Sequence, residues 1–336
     1  MIRLKDIAVR AHVSVMTVSK ALRDAKDISA VTKARIRVLA QQMGYVPDTS
    51  AASLRTRTTR LFGLVIGAMT NPIFARIIMA LEERAHEAGY DLLLAQSLNN
   101  PEREAVCIRR MLARRVDGLF LFPAYRREPT APVYEELLRC QIPTVLLGPR
   151  AKFCSQFPNV DTDDSAASFA ATKHLLDLGH QRIAYLSGPA VAPWAHERFD
   201  GYRRALREAG IEADEQLVFN AGATIEEGEK AALQLLNEGV RATAIQAVND
   251  LVAIGAANTF LQQGMKIPQD LSIVGFGNVL ISEHFRVPLT TVRQPKFRLG
   301  VAAMETMLKL VRGEPADSRR LHAELVLRAS TAEPKG

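Results

Sequence analysis

The chain has 336 residues, 48% hydrophobic and 24% charged, which is enough for two or three compact units with real cores. Its net charge of +7 is unevenly placed: the first 60 residues hold twelve Lys/Arg against four Asp, while the rest of the chain is almost neutral. A basic head on a neutral body is the footprint of a polyanion-binding module, and the absence of a strongly apolar helical face argues against a membrane surface as that polyanion.

No apolar run is long enough to span a bilayer and no secretory start is evident, so a cytoplasmic location is expected. Cys107, Cys140 and Cys154 are odd in number and widely spaced, which predicts reduced thiols rather than a disulfide frame or a zinc site.

Residues 4–22, LKDIAVRAHVSVMTVSKAL, hold two short apolar patterns at helical spacing, Ile7/Ala8/Ala11 and Val18/Ala21/Leu22. His12, Val13 and Ser14 between them allow only a tight turn, which predicts a helix-turn-helix. Ser14 is placed to cap the second helix. The face left free carries Val15, Met16, Thr17, Ser19, Lys20 and Arg23. Hydroxyls and cations can hold phosphates, and Val15, Met16 and Lys20 project where a recognition helix meets base edges in the major groove.

Ser29 can cap a third helix over 30–43, with Ile36, Leu39, Ala40 and Met43 at i, i+3, i+4 and i+7, and Gly44 and Pro47 end it. Three helices make a complete headpiece over 1–47. Residues 48–54, DTSAASL, are too few to hold a helix alone in water, which predicts a segment ordered only when docked. Residues 55–60, RTRTTR, read as a basic linker.

From Leu61 short β-rich runs alternate with amphipathic helices, the rhythm of a parallel sheet covered on both faces. Strands are predicted at 62–66, 91–95, 118–122, 144–147, 182–186, 217–220, 244–248 and 272–276. Helices are predicted at 74–88, 102–113, 131–140, 165–178, 195–209, 225–237 and 251–263. The repetition predicts an α/β core of two doubly wound lobes facing each other across a cleft at the carboxyl ends of the strands.

The run L-K-D-I-A-x-x-A-x-V-S-x-x-T-V-S-x-A-L, followed by I-S-x-x-T and M-G-Y-V-P-D, resembles the lac repressor/gal repressor (LacI/GalR) family of bacterial transcription regulators. The segments N-P-I-F at 71–74, H-L-L-D-L-G-H-Q-R-I-A-Y-L-S-G-P at 174–189, V-N-D at 248–250, P-L-T-T-V-R-Q-P at 288–295 and L-R-A-S-T at 327–331 extend the resemblance over essentially the whole chain. It implies a core similar to periplasmic sugar-binding proteins, with an N-lobe of about 61–160 and 292–321 and a C-lobe of about 161–291 and 322–332. It also implies a homodimeric repressor on a near-palindromic duplex, controlled by a sugar or sugar derivative, with no cofactor and no metal.

By position, the resemblance makes Val15, Met16 and Lys20 base-reading residues and Ser14, Thr17, Ser19, Ser29 and Thr32 phosphate-contacting or capping hydroxyls, with Leu4 and Arg23 completing the DNA set. Leu54 matches a hinge leucine that wedges into the minor groove, with Ala51 beside it, kinking the duplex. In the cleft Arg198 and Asn249 match effector-binding residues, Phe74 and Trp194 offer faces for stacking, and Gln294 and Asp250 are further candidates. Asp161 or Asp163 lines the crossover between lobes.

Two departures concern the ligand: Gly148 and Gly277 fall where many members carry an effector-binding Asp. Their loss removes two acceptors for sugar hydroxyls, which leaves either an effector other than a standard hexose or a substitute in Asn278 and water. Enzymatic readings lack support, since there is no Walker loop, G-x-S-x-G or H-E-x-x-H, and Gly275-Phe276-Gly277 lacks the third glycine of a dinucleotide loop. His174 and His180 flank Gly179 and do not share a helical face. A sugar-binding module without DNA function and a DNA binder without a small effector are the rival readings. No leucine-heptad tail follows Arg328 to build tetramers.

Overall fold

A computed structural model describes residues 2–46 and 58–335, which fall into two compact units, 1–59 and 60–336. The first is built on α1 (Leu4–Ala11), α2 (Val15–Leu22) and α3 (Ala30–Gln42). Its core is small, with Ile7, Val18, Ala21 and Ile36 wholly buried at the places the helical spacing put them.

Local chemistry fixes every helix end in this unit. Asp6 accepts from the Arg3 amide at 2.8 Å at the start of α1, and His12 takes the left-handed conformation at φ 51° that closes it. Among non-glycine residues His is one of those that tolerate this region. The Ser14 and Ser29 side chains cap α2 and α3, accepting from the Thr17 and Thr32 amides at 3.0 and 3.2 Å. Gly44 at φ +68° turns the chain out of α3, and the Tyr45 amide returns to the Ala40 carbonyl at 2.9 Å.

The second unit contains two six-stranded sheets. The first lobe begins β1 (Leu61–Ile66), α4 (Ile73–Glu87), β2 (Asp91–Gln96), α5 (Pro101–Ala113), β3 (Gly118–Leu121), α6 (Pro132–Cys140), β4 (Thr144–Leu147) and β5 (Asn159–Thr162). The second runs α7 (Asp164–Asp177), β6 (Ile183–Ser187), α8 (Pro193–Glu208), β7 (Val218–Asn220), α9 (Ile225–Asn237), β8 (Ala244–Ala247), α10 (Asp250–Gln262), β9 (Ser272–Gly277), α11 (Leu280–His284) and β10 (Thr290–Arg293). Then α12 (Lys296–Val311) returns to pack on the first lobe, β11 (Arg319–Leu321) joins its sheet, and β12 (Glu324–Val326) joins the other.

The strand orders are β11-β5-β4-β3-β1-β2 and β12-β10-β9-β8-β6-β7. All pairings are parallel except β10 with β12. The chain therefore passes between lobes three times, after β5, after β10 and after β11. Every strand and helix read from the periodicity between 62 and 276 is present, with ends moved by no more than two residues.

Helix α12 escaped the periodic reading, and Gly300 shows why. A Cβ there would lie 2.6 Å from the Ile77 carbonyl of α4, so the glycine serves close packing of two helix backbones rather than a local pattern.

Candidate nucleic-acid interface and effector cleft

In the headpiece the face of α2 left by the core is open. Val15 and Met16 are 46% and 63% exposed, and what sets them apart from the other exposed apolar side chains of this unit is their place at the start of α2 beside Ser14 and Thr17. The hydroxyl pairs Ser14–Thr17 and Ser29–Thr32 are each 2.8 Å apart, so Ser14 and Ser29 cap their helices while all four oxygens stay together at the helix starts. Lys20 is ion-paired with Asp27, whose carboxyl is held below its usual range by the hydrogen bond from that ammonium. An exposed pair of this kind exchanges readily for a stronger acceptor.

Arg23 folds back, its Nε donating to the Ser19 carbonyl at 2.9 Å, and Leu4 is half-buried against the headpiece core. Asp24 pairs with Lys33 and Arg37 at 3.1 and 2.9 Å, and these neighbours lower its pKa. The expected hinge residues Ala51 and Leu54 lie outside the described residues.

In the second unit the carboxyl ends of both sheets line one cavity of about 280 Å³, room for a molecule of one ring. Phe74, Trp194, Arg198, Asn249, Asp250 and Gln294 all line it. Arg198 is buried, with Nε and Nη2 donating to Asp164 Oδ2 at 2.8 and 2.7 Å and Nη1 donating to the Val248 carbonyl at 2.7 Å. Its guanidinium lies 3.8 Å from the Phe276 ring centroid and 4.8 Å from that of Trp194. Of five N–H donors, two remain for a ligand.

Asn249 is the N-cap of α10, with Oδ1 accepting from the Val252 amide at 2.8 Å and Nδ2 donating to the Ala223 carbonyl at 3.0 Å. Most of its amide is thus spent on architecture. Gln294 Nε2 donates to Thr162 Oγ1 at 2.9 Å and to Asp164 Oδ1 at 3.3 Å, tying the passage after β10 to the passage after β5. Asp250 is wholly enclosed, accepting from the Val279 amide and Ser282 Oγ at 2.8 and 2.7 Å and from Thr291 Oγ1. Burial raises its pKa against those hydrogen bonds, and it acts as the clasp of the loop after β9.

Asn278 departs from expectation. It does not line the cavity: at φ 47° its side chain turns to Arg328, whose Nη2 donates to Oδ1 at 2.8 Å. It therefore does not replace a carboxylate lost at Gly277. Phe74 is 8% exposed and packs edge-to-face on Phe122 with centroids 4.5 Å apart, so it is core as much as wall.

The sequence reading missed Tyr125, Glu197 and the full part played by Asp161. Tyr125 is held in the cleft wall by donating to the Pro149 carbonyl at 2.8 Å. Its loop is pinned by buried Glu104, which accepts from the Ala124 amide at 2.6 Å and from Tyr134 at 2.9 Å and pairs with Arg126. Burial raises the Glu104 pKa despite those partners. Burial also lifts Asp161 to about 6 and Glu197 to about 7, although Arg320 opposes both shifts. The periodic reading gives no strand over β5, which carries Asp161, and no motif marks Glu197 at the start of α8.

Residues 3–48 match the bacterial regulatory proteins of the lacI family, and residues 172–331 match the periplasmic binding protein-like domain. The chain is 32% identical over 330 residues to the HTH-type transcriptional repressor CytR of Escherichia coli (strain K12), covering 98% of this chain and 96% of that protein. It belongs to the LacI family. Within the family its fold matches the lac repressor dimer solved with operator and the anti-inducer ONPF, at a TM-score of 0.88 and 26% identity over 98% and 99% of the two chains. The transcriptional regulator CelR, solved with cellobiose, matches at a TM-score of 0.73 and 28% identity over 98% and 100%. This LacI-family chain is thus a DNA-binding transcriptional regulator and not an enzyme, and its cavity stands where the two lobes face each other.

Among the described residues no helix is long and apolar enough to cross a membrane.

Proposed function

We propose that the protein is a cytoplasmic repressor that binds a near-palindromic duplex as a dimer and responds to a single-ring, sugar-sized effector held between its lobes. The observation that carries the DNA half is the bare apolar and hydroxyl face of α2, where Val15 and Met16 stand exposed beside Ser14, Thr17 and Lys20. Such a face gives up only an exposed ion pair and hydration on entering a major groove and gains contact with thymine methyls and phosphates. Residues 1–47 form the reader, 48–60 the hinge with Leu54 as wedge, and the remainder the sensor.

The effector half rests on the cavity between the lobes and on Gln294, which joins two of the three passages between lobes. A ligand that draws the lobes together acts on those passages, and the coupling is reciprocal, so effector and operator change each other's affinity by one factor. CelR, solved with the two-ring sugar cellobiose, supports a carbohydrate as the class of occupant. A DNA binder without an effector does not account for a cavity walled by Trp194, Arg198 and Tyr125.

The test is a selection of bound sites from random duplex DNA, followed by titration of the selected site against a sugar and sugar-derivative panel. A self-symmetric site whose affinity moves with one panel member supports the proposal. Failure to enrich any site removes it.

A further inference from the structure

The wall of the cleft is rich in acidic side chains. Asp161 and Glu197 both line the cavity, on β5 and on α8, and lie close enough to repel each other. The nearby cations are already engaged. Arg198 is committed to Asp164 at 2.7 Å, and Arg320 pairs with Glu197 and reaches Asp163 at 3.6 Å. Lys296 donates to the Gly277 and Asn278 carbonyls. Asp161 has no ion-pair partner within 4 Å among the described residues.

A second observation is independent of the carboxylates. Gln294 is 7% exposed, lines the same cavity, and its Oε1 has no hydrogen-bond donor. The amide cannot be turned to cure this, because Nε2 serves Asp164 Oδ1, an atom able only to accept. A buried acceptor without a donor is costly, and it is satisfied when something donates to it. The same cavity is also lined by the apolar side chains Phe122, Leu147, Val191 and Trp194.

Gly148 directly follows β4 and Gly277 ends β9, at φ +117° and +131°, so neither position contributes a side chain to the cleft. The acidic groups come instead from β5 and from α8. Among the described residues the charged side chains lining the cavity are Asp161, Asp164, Glu197 and Asp250 against Arg198 alone, so an anionic ligand would add to a net-negative wall, while a neutral polyol would supply donors but leave Asp161 without a compensating cation.

We propose that the effector carries a protonated amine on a single-ring body whose apolar face lies against the aromatic wall, the ammonium being received by Asp161 and Glu197. An ammonium brings three N–H donors and the compensating charge in one group. This proposal rests on the cleft being the effector site and assigns the chemical class of its ligand, such as an amino sugar or a small aromatic amine.

The experiment is calorimetric titration of the full chain at about pH 7 with two matched triads: glucosamine, glucose and glucuronate, then benzylamine, benzyl alcohol and benzoate. The amine is expected to bind at least about tenfold tighter than its neutral partner, with the acid weakest, one opposite-charge contact being worth roughly that factor. Asp161→Asn and Glu197→Gln should each collapse the amine-to-neutral ratio toward one, and because the ratio is internal to each variant, partial loss of folded protein does not imitate the effect. Neutral or acidic members binding as tightly as the amine overturn the amine proposal and leave the effector reading standing. Silence from both triads overturns it too. If a wider thermal-shift screen of neutral sugars is also silent, the effector reading falls with it.

Discussion

Replacing Arg198 by alanine should unfold this protein more readily, quite apart from any effect on ligand. The guanidinium and the Asp164 carboxylate have side chains only 7% and 5% exposed and are joined by Nε and Nη2 at 2.8 and 2.7 Å. Removing one partner of a buried pair strands the other charge, at a cost of about 3–5 kcal/mol. The Val248 carbonyl also loses its donor at 2.7 Å, which adds about 1 kcal/mol. A net loss of about 4 kcal/mol, read at an m-value of about 2–3 kcal/mol per molar urea, lowers the unfolding midpoint by roughly 1.5–2 M. Arg198→Ala/Asp164→Asn should recover about half of it, since the abandoned charge is then gone, and circular dichroism across a urea series reads both variants. A single variant losing less than about 1 kcal/mol, or a double variant no better than the single, would refute the view that Arg198 holds the lobe together. Arg198→Ala thus confounds effector loss with instability, and Arg198→Lys, which keeps the charge, is the cleaner probe of ligand response.

Lys20→Ala should weaken a selected duplex by about 1–3 kcal/mol while costing random DNA less, as fluorescence anisotropy can measure; equal losses on both would assign Lys20 to phosphate contact. Gly148→Ala places a Cβ at φ +117° and 3.3 Å from the Tyr125 hydroxyl, so a loss of about 1–3 kcal/mol is expected in thermal melts. His180 lies between Thr243 Oγ1 at 2.9 Å, Ser272 Oγ at 3.1 Å and the Ala332 carbonyl at 2.8 Å, and burial lowers its pKa. The unfolded chain then takes up the proton first, so this contribution to stability is present above about pH 6.5 and declines as pH falls below it. Asp161 and Glu197, raised to about 6 and about 7, work in the opposite sense: their contribution is held at low pH and is lost as pH rises through those values. Comparing wild type with His180→Gln between about pH 7.5 and 5.5 isolates the histidine, and identical pH profiles would dismiss it.

The headpiece was legible in the sequence because its determinants are local. Ser14, Ser29 and Gly44 act on amides and carbonyls a few residues away, and Ile7, Val18 and Ile36 repeat at helical spacing. The alternating core was legible for the same reason. What the pattern did not carry was made by distant pairing: β11 is a three-residue strand that exists because Arg319 to Leu321 register with Val160 to Thr162. Asn278 follows Gly277 in sequence and so reads as a substitute for the missing Asp, but Arg328, fifty residues later, claims its amide oxygen. Glu197 was overlooked because a carboxylate in a helix beside Arg198 looks like a solvated charge until α8 is packed against the crossover. Asn249 was found by its position before Asp250, yet only the folded loop reveals how much of it is a helix cap.

The most direct measurement is anisotropy of a labelled, self-symmetric selected duplex titrated with the full chain across a salt series, with and without the effector found by screening. The expected result is tight binding that falls steeply and linearly on logarithmic axes as salt rises, and an affinity that shifts when the effector is added. Binding insensitive to salt, or an operator affinity that ignores a ligand shown by calorimetry to occupy the cleft, would contradict a basic reader governed by a two-lobed sensor.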